Sequence, residues 1–290
     1  MRIFGKLNLF LNVFGVVDGF HGIESVFAPC FDIYDEIFIS VADETSVEFS
    51  PADFVYLQSA DYVERYEKAV GSLAGFEDNT ARAVRLFCGK FGVSGVAVRV
   101  KKGVPFSAGM GGSSASAVAV LKCLCEKFEK SFSDVSDIVN ALGSDLAGMW
   151  GGGVSFCEGR GEIARDIAGE IGGFAVVCTP SFGVSTREVF QAFDRLSDVK
   201  IFAGVEDCKN GEFDYFANFG MLENSLETAS FAISVDLENF AGVLREKSGV
   251  NFKMTGSGSG FFTLVKDLKT AREIHEKVRE YCDFSAISRI

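Results

Sequence analysis

Residues Val104 to Val120 read VPFSAGMGGSSASAVAV. Glycine and serine crowd the first half, at Ser107, Gly109, Gly111, Gly112, Ser113 and Ser114, and small apolar residues fill the second. Glycine tolerates positive φ and lets a ligand come close to the backbone. Upstream, Val96, Val98 and Val100 alternate with Ala97, Arg99 and Lys101, the period of a strand. Downstream, helix-forming sequence continues from Ser114 to roughly Lys130. Strand, small-residue loop and helix in that order leave unpaired N–H groups at the positive end of a helix dipole. That arrangement suits an anion, phosphate above all.

Several phosphate loops are excluded by what is missing. A Walker A loop needs Lys and then Ser or Thr after its second glycine, and the protein-kinase set needs HRD and DFG triplets. None of these is present. Gly109-Met110-Gly111 starts like a dinucleotide fingerprint, but Ser114 stands where the third glycine belongs. What remains is P-x-x-x-G-[LM]-G-G-S-S-A, carried by Pro105, Gly109, Met110, Gly111, Gly112, Ser113, Ser114 and Ala115. This phrase resembles the central motif of the GHMP kinase superfamily (galacto-, homoserine, mevalonate and phosphomevalonate kinases).

The chain has 290 residues, nearly half of them apolar and thirty of them Phe, which is enough for two lobes with a sizeable core. Its net charge of −12 argues against a nucleic-acid partner and requires any nucleotide to be held by local positive potential. Eight cysteines occur without C-x-x-C or Cys/His spacing, so free thiols in a reducing cytoplasm are expected. Lys6, Asn8 and Asn12 interrupt the apolar N-terminus, and no uninterrupted run reaches membrane-spanning length, so neither a signal peptide nor a membrane partner is expected.

Ile3 to Val13 reads as a strand that places Lys6 and Asn8 on one face, and the Asp18-Gly19-Phe20-His21 turn leads to a second strand over Gly22 to Phe31. Glu36 to Val41 reads as another strand. Residues 43–77 show no pattern that carries chemistry. Asp78-Asn79-Thr80 reads as a cap for a helix with Ala81, Val84, Leu86, Phe87 and Phe91 on its apolar face. Ser133 to Leu142 is expected to be helical, with a break at Gly143 before Ser144-Asp145. Ser185 and Glu188 have the spacing of a capping box. Met254-Thr255-Gly256-Ser257-Gly258-Ser259-Gly260 forms a second glycine loop ahead of a strand over Phe261 to Val265. His275 is expected at the surface of a last helix.

The opening Lys6-Leu-Asn8-Leu-Phe-Leu, with Asp18-Gly19-Phe20-His21, is similar to one branch of the superfamily, whose members phosphorylate a cytidine-diphosphate methylerythritol. The resemblance covers essentially the whole chain. It implies an α+β, two-lobed fold with the site in the cleft between lobes, an N-terminal lobe over 1–150 and a C-terminal lobe over 151–290. It implies ATP and Mg²⁺, with Pro105, Ser107, Ala108, Gly109, Met110, Gly111, Gly112, Ser113, Ser114 and Ala115 at the nucleotide, joined by Asn79 and Lys102. Ser114 is the protein oxygen it offers to the metal. Asp145, in a phrase matching the family L-G-[AS]-D, would be the base, although the proline usual two residues later is missing. Lys6 would act at the reacting hydroxyl and Asn8 would orient the substrate. Phe20 and His21 would hold the cytosine. Thr186, Gly256, Ser257 and Gly258 would complete the substrate side. A solvated face for Lys6 and Asn8, a structural role for His21, local capping for Asn79 and Asp145, a solvated strand end for Lys102 and a hairpin for residues 254–260 stand as alternatives.

The branch usually carries one more glycine than Gly109-Met110-Gly111-Gly112-Ser113-Ser114-Ala115-Ser116 provides. The shorter form is shared with mevalonate and homoserine kinases, so another small-molecule kinase of the superfamily is the alternative, and a non-catalytic ligand sensor on the same fold a further one. Oligomeric state is left open between monomer and homodimer.

Overall fold

The computed structural model describes residues 1–17, 19–73 and 78–290; Asp18 of the turn motif above lies outside the described residues. In chain order the elements are β1 (Arg2–Val17), β2 (Phe20–Val41), β3 (Ser46–Pro51), α1 (Ala60–Leu73), α2 (Asn79–Phe91), β4 (Val96–Lys102), α3 (Gly112–Lys127), α4 (Phe132–Leu142) and α5 (Asp145–Trp150). They continue as β5 (Val154–Gly159), β6 (Ile163–Ala168), β7 (Phe174–Thr179), α6 (Thr186–Phe193), α7 (Val205–Lys209), α8 (Glu227–Ile233), α9 (Val235–Ser248), β8 (Lys253–Met254), β9 (Phe261–Val265), α10 (Leu268–Val278) and β10 (Phe284–Arg289).

Two sheets organise them. The first has the order β3-β4-β2-β5-β6, with β1 paired antiparallel to β2; the second has the order β10-β7-β9-β8. The expected strands 22–31 and 36–41 are one strand, β2, which pairs with β5 through Ile23–Phe27 and with β4 through Glu36–Val41. Register shifts after Phe4, Asn8 and Val13 break the alternation of β1 and hide its full length from a period-two reading. β5 and β6, beyond residue 150, belong to the first sheet, and β7 is the first strand of the second.

The central helix α3 buries Ala115 to Leu121 without interruption, as well as Leu124 and Cys125. A helix that is apolar on all sides belongs inside, and its Ala and Ser positions let neighbours approach closely. Its partners in the core are Val98 and Val100 of β4, Val84 and Phe87 of α2, Val135 and Val139 of α4, and Leu146 of α5. A second cluster joins the sheets through Leu7, Phe10, Phe156, Val177, Phe202 and Phe262. A third packs Val189, Leu237, Leu244, Ile274 and Val278 against Val176 and Phe261.

Two local expectations are corrected. The buried stripe of α2 is Thr80, Ala83, Val84 and Phe87; Leu86 falls outside that i, i+3, i+4, i+7 set and is exposed. His275 is not a free surface group: its Nε2 lies 2.9 Å from Ser285 Oγ, and burial lowers its pKa. Among the described residues no helix is long and apolar enough to cross a membrane.

Candidate functional site

A cleft of about 1020 Å³ opens between the glycine loop before α3 and the loop between β8 and β9. The two loops lie back to back. Ser259 N donates to Ser107 O at 2.9 Å, and a Cβ on Gly109 would sit 2.0 Å from Thr255 O. Gly109 and Gly111 both have left-handed backbone, with φ of 67° and 70°. Glycine is therefore needed at 109 for space as well as for conformation. Gly111 caps α3, whose first N–H groups, at Gly112 to Ser114, open onto the cleft. Residues 254–260 are also the hairpin turn between β8 and β9, so the hairpin alternative and the cleft position both describe them.

β1 supplies the polar floor. Lys6, only 5 % exposed, is fixed by its backbone N–H donating to Met110 O at 2.9 Å. Its ammonium donates to Asn8 Oδ1, lies 4.7 Å from the centre of the Phe27 ring and stands 3.3 Å from Asp145 Oδ2. Asn8 is oriented by donating to Ser25 Oγ at 2.8 Å, while its backbone N–H donates to Thr255 Oγ1 at 2.9 Å. Asp145 is the first residue of α5 and Ser144 the cap, so the capping role is not its own. α5 comes close enough for the ion pair because Gly148 has no side chain: a Cβ there would meet Cys157 Sγ at 2.4 Å and the Phe27 ring at 2.7 Å. Burial pushes the neighbouring Cys157 thiol up to about 12, which keeps it protonated beside this pair.

At the other end of the cleft His21 Nε2 meets Asp194 Oδ1 at 2.6 Å, and the imidazole packs 5.0 Å from Phe190 and 5.6 Å from Phe193. Phe20 is 53 % exposed, with the Arg160 guanidinium 4.7 Å from its ring centre. Thr186 begins α6 behind the Ser185 cap, and its Oγ1 lies 2.8 Å from Ser257 Oγ. Asn224 holds the second glycine loop, donating to Met254 O and Gly256 O at 2.9 and 2.8 Å.

The structure thus gathers Lys6, Asn8, Phe20, His21, Asp145, Thr186, the loop from Pro105 to Ser114 and Gly256 to Gly258 around one cleft. Ala115 is outside it, fully buried in the α3 core. The Asn79 side chain is turned to Arg82, whose Nη1 donates to it at 3.1 Å, while Asp78 caps α2 and faces the cleft. Lys102 borders the cleft but is not the solvated residue of the alternative reading: it is 2 % exposed and its ammonium lies 2.5 Å from Asp35. Arg160, Arg187 and Phe190 also line the cleft, and sequence reasoning missed them. Arg187 follows Thr186 directly, which was the available signal. Arg160 sits in a β5–β6 turn that no motif marks. With Lys6, Arg160 and Arg187 place positive side chains on the cleft of a chain whose net charge is −12, beside the carboxylates of Asp78 and Asp145.

Comparison with known proteins agrees with this geometry. Residues 79–158 match the GHMP kinases N terminal domain, and residues 209–283 match the GHMP kinases C terminal domain. The 4-diphosphocytidyl-2-C-methyl-D-erythritol kinase of Pelotomaculum thermopropionicum is 30% identical over 285 residues, covering 94% of this chain and 91% of its own. The enzyme of the same name from Clostridium perfringens is 27% identical over 293 residues, covering 99% and 96%. A crystal structure of 4-(cytidine 5'-diphospho)-2C-methyl-D-erythritol kinase superposes with a TM-score of 0.73 at 27% identity, covering 99% of this chain and 98% of that one. The mevalonate kinase of L. major shares the fold, with a TM-score of 0.70 at 16% identity over 99% and 95% of the two chains. The chain belongs to the GHMP kinase family.

Proposed function

We propose that this kinase transfers the γ-phosphoryl group of ATP to the 2-hydroxyl of 4-diphosphocytidyl-2-C-methyl-D-erythritol, a step toward isoprenoid precursors. The observation that carries the reading is the Lys6–Asp145 pair at 3.3 Å, held directly against the glycine loop through Lys6 N–H and Met110 O, with that loop lining the same cleft. Phosphoryl transfer needs positioning and charge neutralisation more than covalent help from the protein. The amides of Gly109 to Ser114 cradle the phosphates. Asp145 accepts the proton of the attacking hydroxyl, and Lys6 both keeps that carboxylate ionised and faces the charge that develops on the oxygen. Asn8, locked by Ser25, has its geometry set before the substrate arrives.

The cytidine end of the substrate lies at Phe20, His21 and Phe190. The exposed Phe20 ring offers a stacking face. The His21 imidazole, with Nε2 engaged by Asp194, offers Nδ1 to a base edge. Thr186 and Gly256 to Gly258 close the acceptor side.

Ser114 is a hard oxygen donor at the mouth of α3, which suits Mg²⁺, an ion that prefers oxygen ligands and keeps phosphate and water among them. Among the described residues no cluster of three His, Cys, Asp or Glu is placed to hold a metal alone. Bound with the nucleotide, Mg²⁺ supplies charge neutralisation on the phosphate oxygens. We place the reaction in the cytoplasm, in keeping with eight free thiols. The deciding experiment is ADP formation with the cytidylyl substrate beside mevalonate and homoserine; turnover with the first alone supports the reading.

A further inference from the structure

Behind the glycine loop, where Lys102 borders the cleft, lies a second lysine–carboxylate pair that is almost wholly buried. Asp35 is 0 % exposed and Lys102 is 2 % exposed. Asp35 Oδ1 accepts from Gly103 N at 2.7 Å and from Val104 N at 3.0 Å. Asp35 Oδ2 accepts from Lys102 Nζ and Ser116 Oγ, each at 2.5 Å. A carboxylate has about four lone-pair sites, and all are filled. Lys102 Nζ also donates to Gly112 O at 3.0 Å and to Ser116 Oγ at 2.8 Å. An ammonium has three protons, and all three are committed within the protein. None is left for a phosphate.

The partners of this pair are arranged in a particular way. Gly103 and Val104 are where the chain leaves β4 for the loop, and Gly112 and Ser116 are where it enters α3. One carboxylate on β2 therefore grips both ends of the loop at once. Gly103 permits the approach, since a Cβ there would lie 2.3 Å from the Phe54 ring and 2.4 Å from Tyr34 O.

We propose that Asp35, with Lys102 and Ser116, is the positioning clasp of the phosphate loop: it acts on nucleotide binding through the loop ends and touches no ligand itself. The proposal rests on the phosphate-loop reading above and on nothing about the acceptor. It turns the role expected of Lys102, a direct nucleotide contact, into an indirect one. A buried ion pair is a poor source of net stability and often serves to fix one arrangement; here the arrangement fixed is the span between the strand end and the helix start.

The test is a double-mutant cycle on nucleotide affinity, read by calorimetric titration of the full chain with Mg²⁺ and a non-hydrolysable ATP analogue. Asp35→Asn and Lys102→Met should each weaken binding by roughly tenfold, the effect of losing a hydrogen bond to a charged group. The double variant should be no worse than the weaker single, because the two residues form one unit. Ser116→Ala, which removes only the bridging hydroxyl, should weaken binding about threefold. KM for ATP should rise in each case while KM for the acceptor alcohol stays within about twofold of wild type. A single variant leaves one buried charge alone; if it does not fold, the double variant and Ser116→Ala give the answer. Additive losses in the double variant would make Lys102 a direct ligand and overturn the proposal. Unchanged analogue affinity in folded variants would reduce the cluster to a stabilising role and overturn it equally. A wild-type protein that binds no nucleotide would sink the phosphate-loop reading first, and the clasp with it.

Discussion

Lys6 and Lys102 have the same side chain, and both are buried beside a carboxylate, yet their surroundings differ. Lys102 has every proton committed, whereas Lys6 donates to Asn8, stands near Asp145, and has no further hydrogen-bond acceptor among the described residues. The open one faces the cleft, where the proposed phosphoryl transfer places the acceptor hydroxyl. Replacement Asp145→Asn keeps shape and removes the proposed base; kcat should fall about 10²-fold or more, with nucleotide affinity nearly unchanged, as steady-state kinetics and analogue titration would report. Near-normal turnover would remove Asp145 from the mechanism. Asp194 sets the orientation of His21, so Asp194→Ala should raise KM for the cytidylyl substrate by about tenfold while leaving KM for ATP alone. A rise in both KM values would instead mean that α6 has shifted. These candidates differed in how legible they were. Lys6, Asn8 and Asp145 belong to phrases whose spacing a reader can match. The four donors to Asp35 come from residues 67 to 81 positions away, and no local pattern records that convergence. Arg160 and Asp194 were silent for the same reason.

The strand–loop–helix unit from β4 to α3 was legible because each part has a different local chemistry: alternating valines, glycine and serine, then alanine. The loop between β8 and β9 was legible for its glycines, but its packing against the first loop was not. That contact makes a sharp expectation. Gly109→Ala would place a methyl group 2.0 Å from Thr255 O at a φ of 67°. It should cost about 2 kcal/mol or more of stability in a denaturant melt and abolish nucleotide binding; a fully stable variant that binds ATP normally would show that the loops separate freely. Residues 46–51 were opaque in the sequence for a physical reason, whereas Tyr62, Tyr66 and Val70 of α1 do carry a helical spacing that sequence reasoning missed. β3 is an edge strand whose alternate positions are only half-buried, so no strongly apolar face imposes a period. β2 was read as two strands because its turn-like residues lie inside a long paired ribbon whose partner keeps it extended.

Two half-buried ionisable groups give the whole molecule opposing pH dependences. Burial raises the Glu227 pKa, so this residue favours the folded state below the ordinary glutamate range, and that contribution is lost as pH rises through the raised value. Burial lowers the His275 pKa, so its contribution is present above the ordinary histidine value and is lost as pH falls through the lowered one. Glu227→Gln keeps an acceptor for Met254 N and should raise Tm at pH ~8, with the gain shrinking as the pH approaches ~4.3, the unperturbed glutamate value. A gain that did not vary with pH would place the cause elsewhere. Across the molecule, two sheets share a continuous core, and each contributes a loop to one cleft where a polar floor meets a cradle of amides. The most direct test of this arrangement is ADP release by purified enzyme given Mg²⁺, ATP and, in separate reactions, 4-diphosphocytidyl-2-C-methyl-D-erythritol, mevalonate or homoserine. We expect sustained turnover with the first alone, falling about 10²-fold in the Asp145→Asn variant. Turnover with mevalonate or homoserine instead, or with none of the three despite nucleotide binding, would contradict it.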